Sequence, residues 1–160
     1  MKLFLSRDTS MSHSRFLVTD ESGNRKYVVT GKGSASIERL VISDTQGQML
    51  VTIRVSHFSF FSAFVVSDYK ERFSMVAGRN RAEYKFHGIS WTLCRSHDVR
   101  SFEIFDADGT SVMLQLADNF IRKGYYELNI FSEQRELFCI AAAICADTIN
   151  LADTTVAATV

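Results

Sequence analysis

Four histidines, three cysteines and one glycine–lysine loop are the side chains in this 160-residue chain best suited to act as ligands, bases or nucleophiles. His13, His57, His87 and His97 form no H-x-x-x-H pair and have no acidic ligand beside them at metal spacing. Gly31-Lys32-Gly33-Ser34 has the composition of a phosphate loop. It lacks the upstream glycine and leads into a strand, so it reads as a flexible hairpin. Cys94 and His97, beside Asp98, could pair as thiol and base. A core thiol next to a surface turn is the plainer account. There is no G-x-S-x-G elbow, no P-loop and no G-x-G-x-x-G. The sequence offers no catalytic residue, no metal ligands and no cofactor site, and the expectation is a protein that is not an enzyme.

Two clusters suit binding instead. Phe58, Phe60, Phe61 and Phe64 fall within His57 to Phe64, between two strand candidates. Alternation puts Phe58, Phe60 and Phe64 on one face and Phe61 on the other. They are either barrel core and rim, or an exposed apolar edge at Phe58, Phe60 and Phe61 that docks a membrane or a protein. The second cluster is basic: Lys70, Arg72, Arg79, Arg81 and Lys85, diluted by Glu71 and Glu83. Arg79-Asn80-Arg81 follows Gly78 in a turn, where two guanidinium groups could clamp a phosphate or carboxylate bidentately. Arg79, Arg81 and Lys85 are therefore the candidate site for an anion or lipid headgroup, against the plainer account of a solvated hairpin face. Arg95 and Arg100 flank the next turn and could converge on the same rim.

Composition narrows the partners. With 18 basic and 18 acidic residues the formal net charge is zero, so a general nucleic-acid binder is not expected. The longest apolar run, Leu137 to Ala146, would make a helix of about 15 Å against a hydrocarbon core of about 30 Å, too short to span. Met1 to Arg7 is too short for a signal-peptide core. Cys94, Cys139 and Cys145 sit in apolar sequence without C-x-x-C spacing, which suits reduced core thiols in a cytoplasmic protein. Proline is absent and no linker divides the chain, so residues 1–160 read as a single domain.

The elements that must position these residues are strands. Short alternating segments rich in Val, Ile, Phe and Tyr follow one another from Lys2 to Phe131, about twelve in all. Without intervening helices they imply antiparallel meanders. Asp20 to Asn24, Asp44 to Gly47 and Asp106 to Gly109 share the spacing D-x-x-G, in which the carboxylate accepts backbone N–H groups and glycine takes the positive φ of a tight turn. Tyr27 to Gly31 is echoed by Tyr84 to Gly88, each followed by a β run and a D-x-x-G turn. The distance from Tyr to Asp is 17 residues in one copy and 22 in the other, read as one unit used twice with a different loop length.

The last segment breaks the alternation. Ser132, Arg135 and Glu136 read as a helix start, Asp147, Thr148 and Asn150 as its end. Leu137 through Ala146 has no polar stripe, so the helix must be buried on every side. In a domain built from strands, that place is the lumen of a barrel with more than eight strands. The expectation is a closed antiparallel β-barrel (residues 1–131) around a buried helix (134–147), with a tail at 148–160.

This combination resembles the tubby C-terminal-like superfamily, and within it the LURP-one-related branch with its small bacterial members. The stretches that carry the resemblance are Met1 to Leu5, Arg15 to Asn24, Tyr27 to Lys32, Leu40 to Gly47 and the apolar helix closing on Asp147. The resemblance implies a twelve-stranded barrel enclosing a C-terminal helix, as in tubby and the phospholipid scramblases. The expected function is a non-enzymatic binding module that recognises an anionic phospholipid headgroup or phosphorylated ligand, cytoplasmic and peripheral at the membrane. The alternative is a protein-interaction or scaffold domain, with a homo-oligomer open to it.

Overall fold

The turn chemistry sets one end of the molecule. The structure is a computed structural model that describes residues 1–8, 14–32, 39–57, 61–78, 84–96, 100–117 and 125–157. In it, Asp20 Oδ1 accepts the backbone N–H groups of Ser22 and Asn24, both at 2.9 Å. Asp44 Oδ1 does the same for Gln46 at 2.9 Å and Gln48 at 2.8 Å. Gly23, Gly47 and Gly109 close their turns at φ of 81, 84 and 81°. A further turn, without glycine, uses Asp68 Oδ1 as acceptor for Lys70 and Glu71.

Twelve strands result: β1 Lys2–Arg7, β2 Ser14–Asp20, β3 Arg25–Lys32, β4 Arg39–Asp44, β5 Met49–His57 and β6 Phe61–Ser67. β7 Arg72–Gly78, β8 Tyr84–His87, β9 Thr92–Arg95, β10 Phe102–Phe105, β11 Ser111–Ala117 and β12 Tyr125–Ile130 complete them. They form one antiparallel sheet in the order β8-β7-β6-β5-β4-β3-β2-β1-β12-β11-β10-β9. β1 lies between β2 and β12, so the first strand ties the two arms of the sheet together. β8 and β9, at the two ends of this order, touch without being hydrogen-bonded neighbours. The barrel is thus nearly closed, with a single seam.

Alternation decides what fills it. Leu3, Leu5, Phe16, Val18, Val29, Leu40, Ile42, Ile53, Phe64, Val66, Phe73 and Met75 all point inward and are buried. After a 3-10 turn at Glu133–Arg135, helix α1 runs from Glu136 to Ala157. Phe138 through Thr148 are buried without a break, Ala141, Ala142 and Ala143 at 0% exposure. The helix contacts β5, β6 and β7 on one arm and β11 and β12 on the other. A helix buried on every face next to a single sheet is one that the sheet wraps. Its alanines let the helix backbone approach the wall closely.

The register gives the barrel two unlike ends. The aspartate turns and the β8–β9 link lie at the end where α1 begins. There Glu136 accepts from Lys26 Nζ at 2.5 Å and from Tyr27 Oη at 3.0 Å. Burial, reinforced by the Glu136 charge, raises the Tyr27 phenol above its ordinary value. The other ends of the strands lie at the opposite end of the barrel, where Asp147 brings the helix to Arg7 of β1.

Three expectations are corrected. The helix does not end at Asp147–Thr148 but continues to Ala157, so residues 148–157 are helix and not a tail. The Asp147 carboxylate is taken up by Arg7, and Thr148 Oγ1 donates to the Ile144 carbonyl at 2.8 Å, inside the helix. Cys94 is exposed, not a core thiol, because Arg95 takes the inward position of β9 opposite Phe102. The two Tyr-to-Asp segments differ by a strand, not by loop length. The first spans β4 alone, whereas the second spans β9 and β10. Their tyrosines also stand at opposite ends of the barrel, since β3 and β8 run in opposite directions.

Candidate functional site

With the lumen filled by α1, ligand contact falls to the outer wall and the ends. The outer wall is segregated by charge. On β4 to β8 the outward positions include Arg39, Arg54, Arg72, Lys85 and His87, all exposed. Between them lie Val41, Thr52, Ala63, Val65, Ser67, Ser74 and Val76. Among the described outward residues of these five strands there is no carboxylate. The opposite wall, on β10 to β12 and β1, carries Glu103 and Glu127 outward with Lys2 as cation. Lys2 pairs with Glu127 at 3.0 Å, and Glu103 accepts from Ser111 Oγ at 2.5 Å. A chain of zero net charge therefore presents one basic wall.

Within that wall Arg39 on β4 stands directly opposite Arg54 on β5. Among the described residues neither forms an ion pair. Arg39 reaches only the Met49 sulfur, at 3.8 Å. Like charges placed directly across two strands are destabilising, and no described carboxylate offsets that cost.

The sequence candidates distribute as follows. Lys85 is exposed on the outer face of β8, part of the basic wall. Arg79 and Arg81 lie outside the described residues, in the connection between β7 and β8. Phe61 opens β6 facing outward at 40% exposure, and Phe64 is core, as alternation requires. Phe58 and Phe60 lie outside the described residues. Arg95 does not join Lys85 on the outside: it points inward, donates to the Tyr84 hydroxyl and stacks its guanidinium 4.7 Å from that ring. This contact bridges the β8–β9 seam. Arg100 also turns inward, near enough to Tyr126 to favour its phenolate, while its carbonyl accepts from Gln115 Nε2 at 2.8 Å.

At that end Arg7 donates twice to Asp147 Oδ2, at 3.1 and 2.6 Å, and Tyr126 Oη donates to Oδ1. Asp147 is buried, and Arg7 keeps 28% of its side chain exposed. Burial, then the Asp147 charge, raises the Tyr126 phenol, with Arg7 and Arg100 opposing. The triad is a structural latch between strand, helix and wall. No described group of three His, Cys, Asp or Glu side chains is placed to hold a metal ion. Desolvation pushes the Cys139 thiol up to about 12 and that of Cys145 higher still, so neither is poised as a nucleophile. Gly31 lies in β3 and serves packing, since a Cβ there would meet Leu40 Cδ2 at 2.7 Å and Arg15 Cγ at 3.4 Å. No helix of the described residues is long and apolar enough to cross a membrane.

Arg39 and Arg54 form no cluster in the sequence because a hairpin separates them. The signal available was the basic, carboxylate-free alternation on the outward positions of successive strands. Residues 1–147 match the model of the LURP-one-related family, a span that takes in all twelve strands and the helix as far as Asp147. No curated protein matches the chain. An X-ray structure of a protein from Arabidopsis thaliana is similar, with a TM-score of 0.64 over 93% of this chain and 91% of that one, at 14% identity. At that identity the likeness carries the fold alone.

Proposed function

This chain belongs to the LURP-one-related family, and from that premise we propose that it is a non-enzymatic binding domain. Its target is an anionic lipid headgroup or phosphorylated ligand at a membrane surface. The observation that carries the reading is the basic wall: outward cations on β4 to β8 with no described carboxylate among them. Such a face attracts a negatively charged surface with about 1 kcal/mol per cation near it. Lys85 stands on the wall, and Arg79 and Arg81 are proposed to bind the same target with it. Phe61 adds an exposed ring on the same face, suited to the headgroup boundary. Three free thiols favour a cytoplasmic setting.

The test is sedimentation with vesicles of neutral lipid and of neutral lipid mixed with phosphatidylserine, at low and at raised salt. The protein should pellet with the anionic vesicles at low salt and be released as salt shortens the screening length. Failure to pellet with anionic vesicles at low salt would end the proposal. The exposure of Phe61 favours one second reading, a protein-docking edge at Phe58, Phe60 and Phe61. Light scattering that shows a dimer lost in Phe61→Ser would support it over the lipid reading.

A further inference from the structure

We propose that Arg39 and Arg54 form a binding site for a phosphomonoester dianion on the outer wall. The inference rests on the anionic-surface reading and narrows it from a charged wall to one place and one chemistry.

The two residues face each other across the β4–β5 ladder, which puts their Cα atoms about 4.5–5.5 Å apart and both side chains on the same face. Both are exposed. Neither has a carboxylate partner among the described residues, and their only flanking outward neighbours on β5 and β6 are Thr52, Ser56 and Val65, which are uncharged. On β1 and β3 three cations are neutralised: Lys2 by Glu127, Arg7 by Asp147, Lys26 by Glu136. Arg39 and Arg54 stand on the wall without such a partner among the described residues, as Arg72 does, but they alone of these face each other directly across a ladder.

Carried on facing residues, two planar guanidinium groups can turn toward one anion, Arg39 by leaving the Met49 sulfur, and each then forms charge-assisted bonds that a single ammonium cannot reproduce. A phosphomonoester carries a charge of about −1.5 to −2 at neutral pH and exposes three acceptor oxygens. It matches two guanidinium charges. A phosphodiester, with one charge and two free oxygens, satisfies only one. The ligand chemistry is thus a terminal phosphate, whether on a lipid headgroup or on a small soluble ester.

The experiment compares vesicles carrying phosphatidic acid, a monoester, with vesicles carrying phosphatidylglycerol, a diester, adjusted to equal surface charge. Glycerol 3-phosphate serves as the soluble probe in calorimetric titration. The proteins are wild type, R39Q/R54Q and R72Q, the last removing a charge from the same wall away from the pair. Wild type should prefer the monoester vesicles about tenfold, the worth of one charge-assisted hydrogen-bonded group. R39Q/R54Q should lose that preference, and R72Q should weaken both vesicle types while keeping the ratio. R39Q/R54Q should also melt no lower than wild type, because it relieves like-charge repulsion. Equal binding of wild type to both vesicles overturns the site and leaves the anionic-surface reading standing. Binding of glycerol 3-phosphate that R39Q/R54Q abolishes, without vesicle binding, supports the site and removes the membrane. Loss of the preference in R72Q as much as in R39Q/R54Q overturns the site. Absence of binding to every probe ends both readings.

Discussion

Replacing Ala142 by Asp puts a carboxylate where α1 is enclosed by the sheet. Ala142 and its neighbours Ala141 and Ala143 are at 0% exposure, so the added atoms must displace the wall, a cost of about 1–3 kcal/mol. The charge adds more. Asp147, on the same helix, is tolerated because Arg7 and Tyr126 meet it, whereas position 142 sits in the run of apolar buried residues from Phe138 to Ala146. The new carboxyl must take up a proton or be buried charged. Raising its pKa from about 3.9 to beyond 7 costs about 4 kcal/mol at neutral pH. The total of about 5–7 kcal/mol consumes much or all of a typical stability of 5–15 kcal/mol, and lowers the melting point by at least about 10 °C. The sign with pH is fixed. The folded-state pKa lies above the unfolded one, so the electrostatic part vanishes below the unfolded value and grows as pH rises through it. The gap to wild type should therefore be narrower at pH 4 than at pH 7. The assay is urea unfolding followed by Trp91, the single tryptophan, buried 5.7 Å from the Phe73 ring that in turn meets Phe138 of the helix at 5.1 Å. Ala142→Ser is the control, since its hydroxyl can donate to the carbonyl one turn back, as Thr148 does to Ile144. An Asp variant with native Trp91 emission and a midpoint close to the Ser variant would refute the enclosure of the helix.

Asp147→Ala strands the Tyr126 hydroxyl in the interior and removes the counter-ion of Arg7. Because Arg7 reaches solvent, the loss should be at the lower end, about 2–3 kcal/mol by urea denaturation. Adding Arg7→Met should recover part of it, and strict additivity would show that the latch is not coupled. Gly88 holds φ of 86°, and a Cβ there would stand 2.9 Å from the Arg72 carbonyl oxygen. Gly88→Ala should thus cost at least about 1–2 kcal/mol, whereas wild-type stability would argue against the turn geometry. Hydrogen bonds from Asn129 and Lys2 hold Glu127 below the usual carboxylate value, and the bond to Glu127 raises Lys2. The pair's contribution is present between their ordinary values of 4.5 and 10.5 and is lost as pH falls through the lowered Glu127 value or rises through the raised Lys2 value. A Lys2→Met variant should flatten both flanks of the stability profile, and unchanged flanks would contradict the assignment.

The strands were legible because a buried face imposes a period of two: Leu3 and Leu5, Leu40 and Ile42, Phe73 and Met75 all fall inward as the alternation requires. The enclosed helix was legible for the opposite reason, the lack of any polar stripe from Leu137 to Ala146. Its end was not. Asp147 looks locally like a terminator, and its real partner, Arg7, lies 140 residues away. In β9 the residue types mislead, since a thiol faces out and an arginine faces in, and only the ring of Tyr84 across the seam explains it. The basic wall follows the same logic. Arg79, Arg81 and Lys85 were visible as a local cluster, whereas Arg39 and Arg54 become neighbours through register, which sequence composition does not record.

The placement of β1 bears on how this chain comes to be folded. β1 pairs with β2 on one side and β12 on the other, and the helix that fills the barrel is synthesised after all twelve strands. As the chain emerges from a ribosome, β1 to β8 can pair as a continuous meander of local hairpins. Its inner face, from Leu3 to Met75, has nothing to pack against until the last segment arrives. Closure then requires β12 to find β1 across 129 residues, as in the bond from the Met1 amine to the Ile130 carbonyl. Loop-closure entropy falls due before any of that contact is returned. Folding should be slow, and the half-made sheet is the species that chaperones would have to shield.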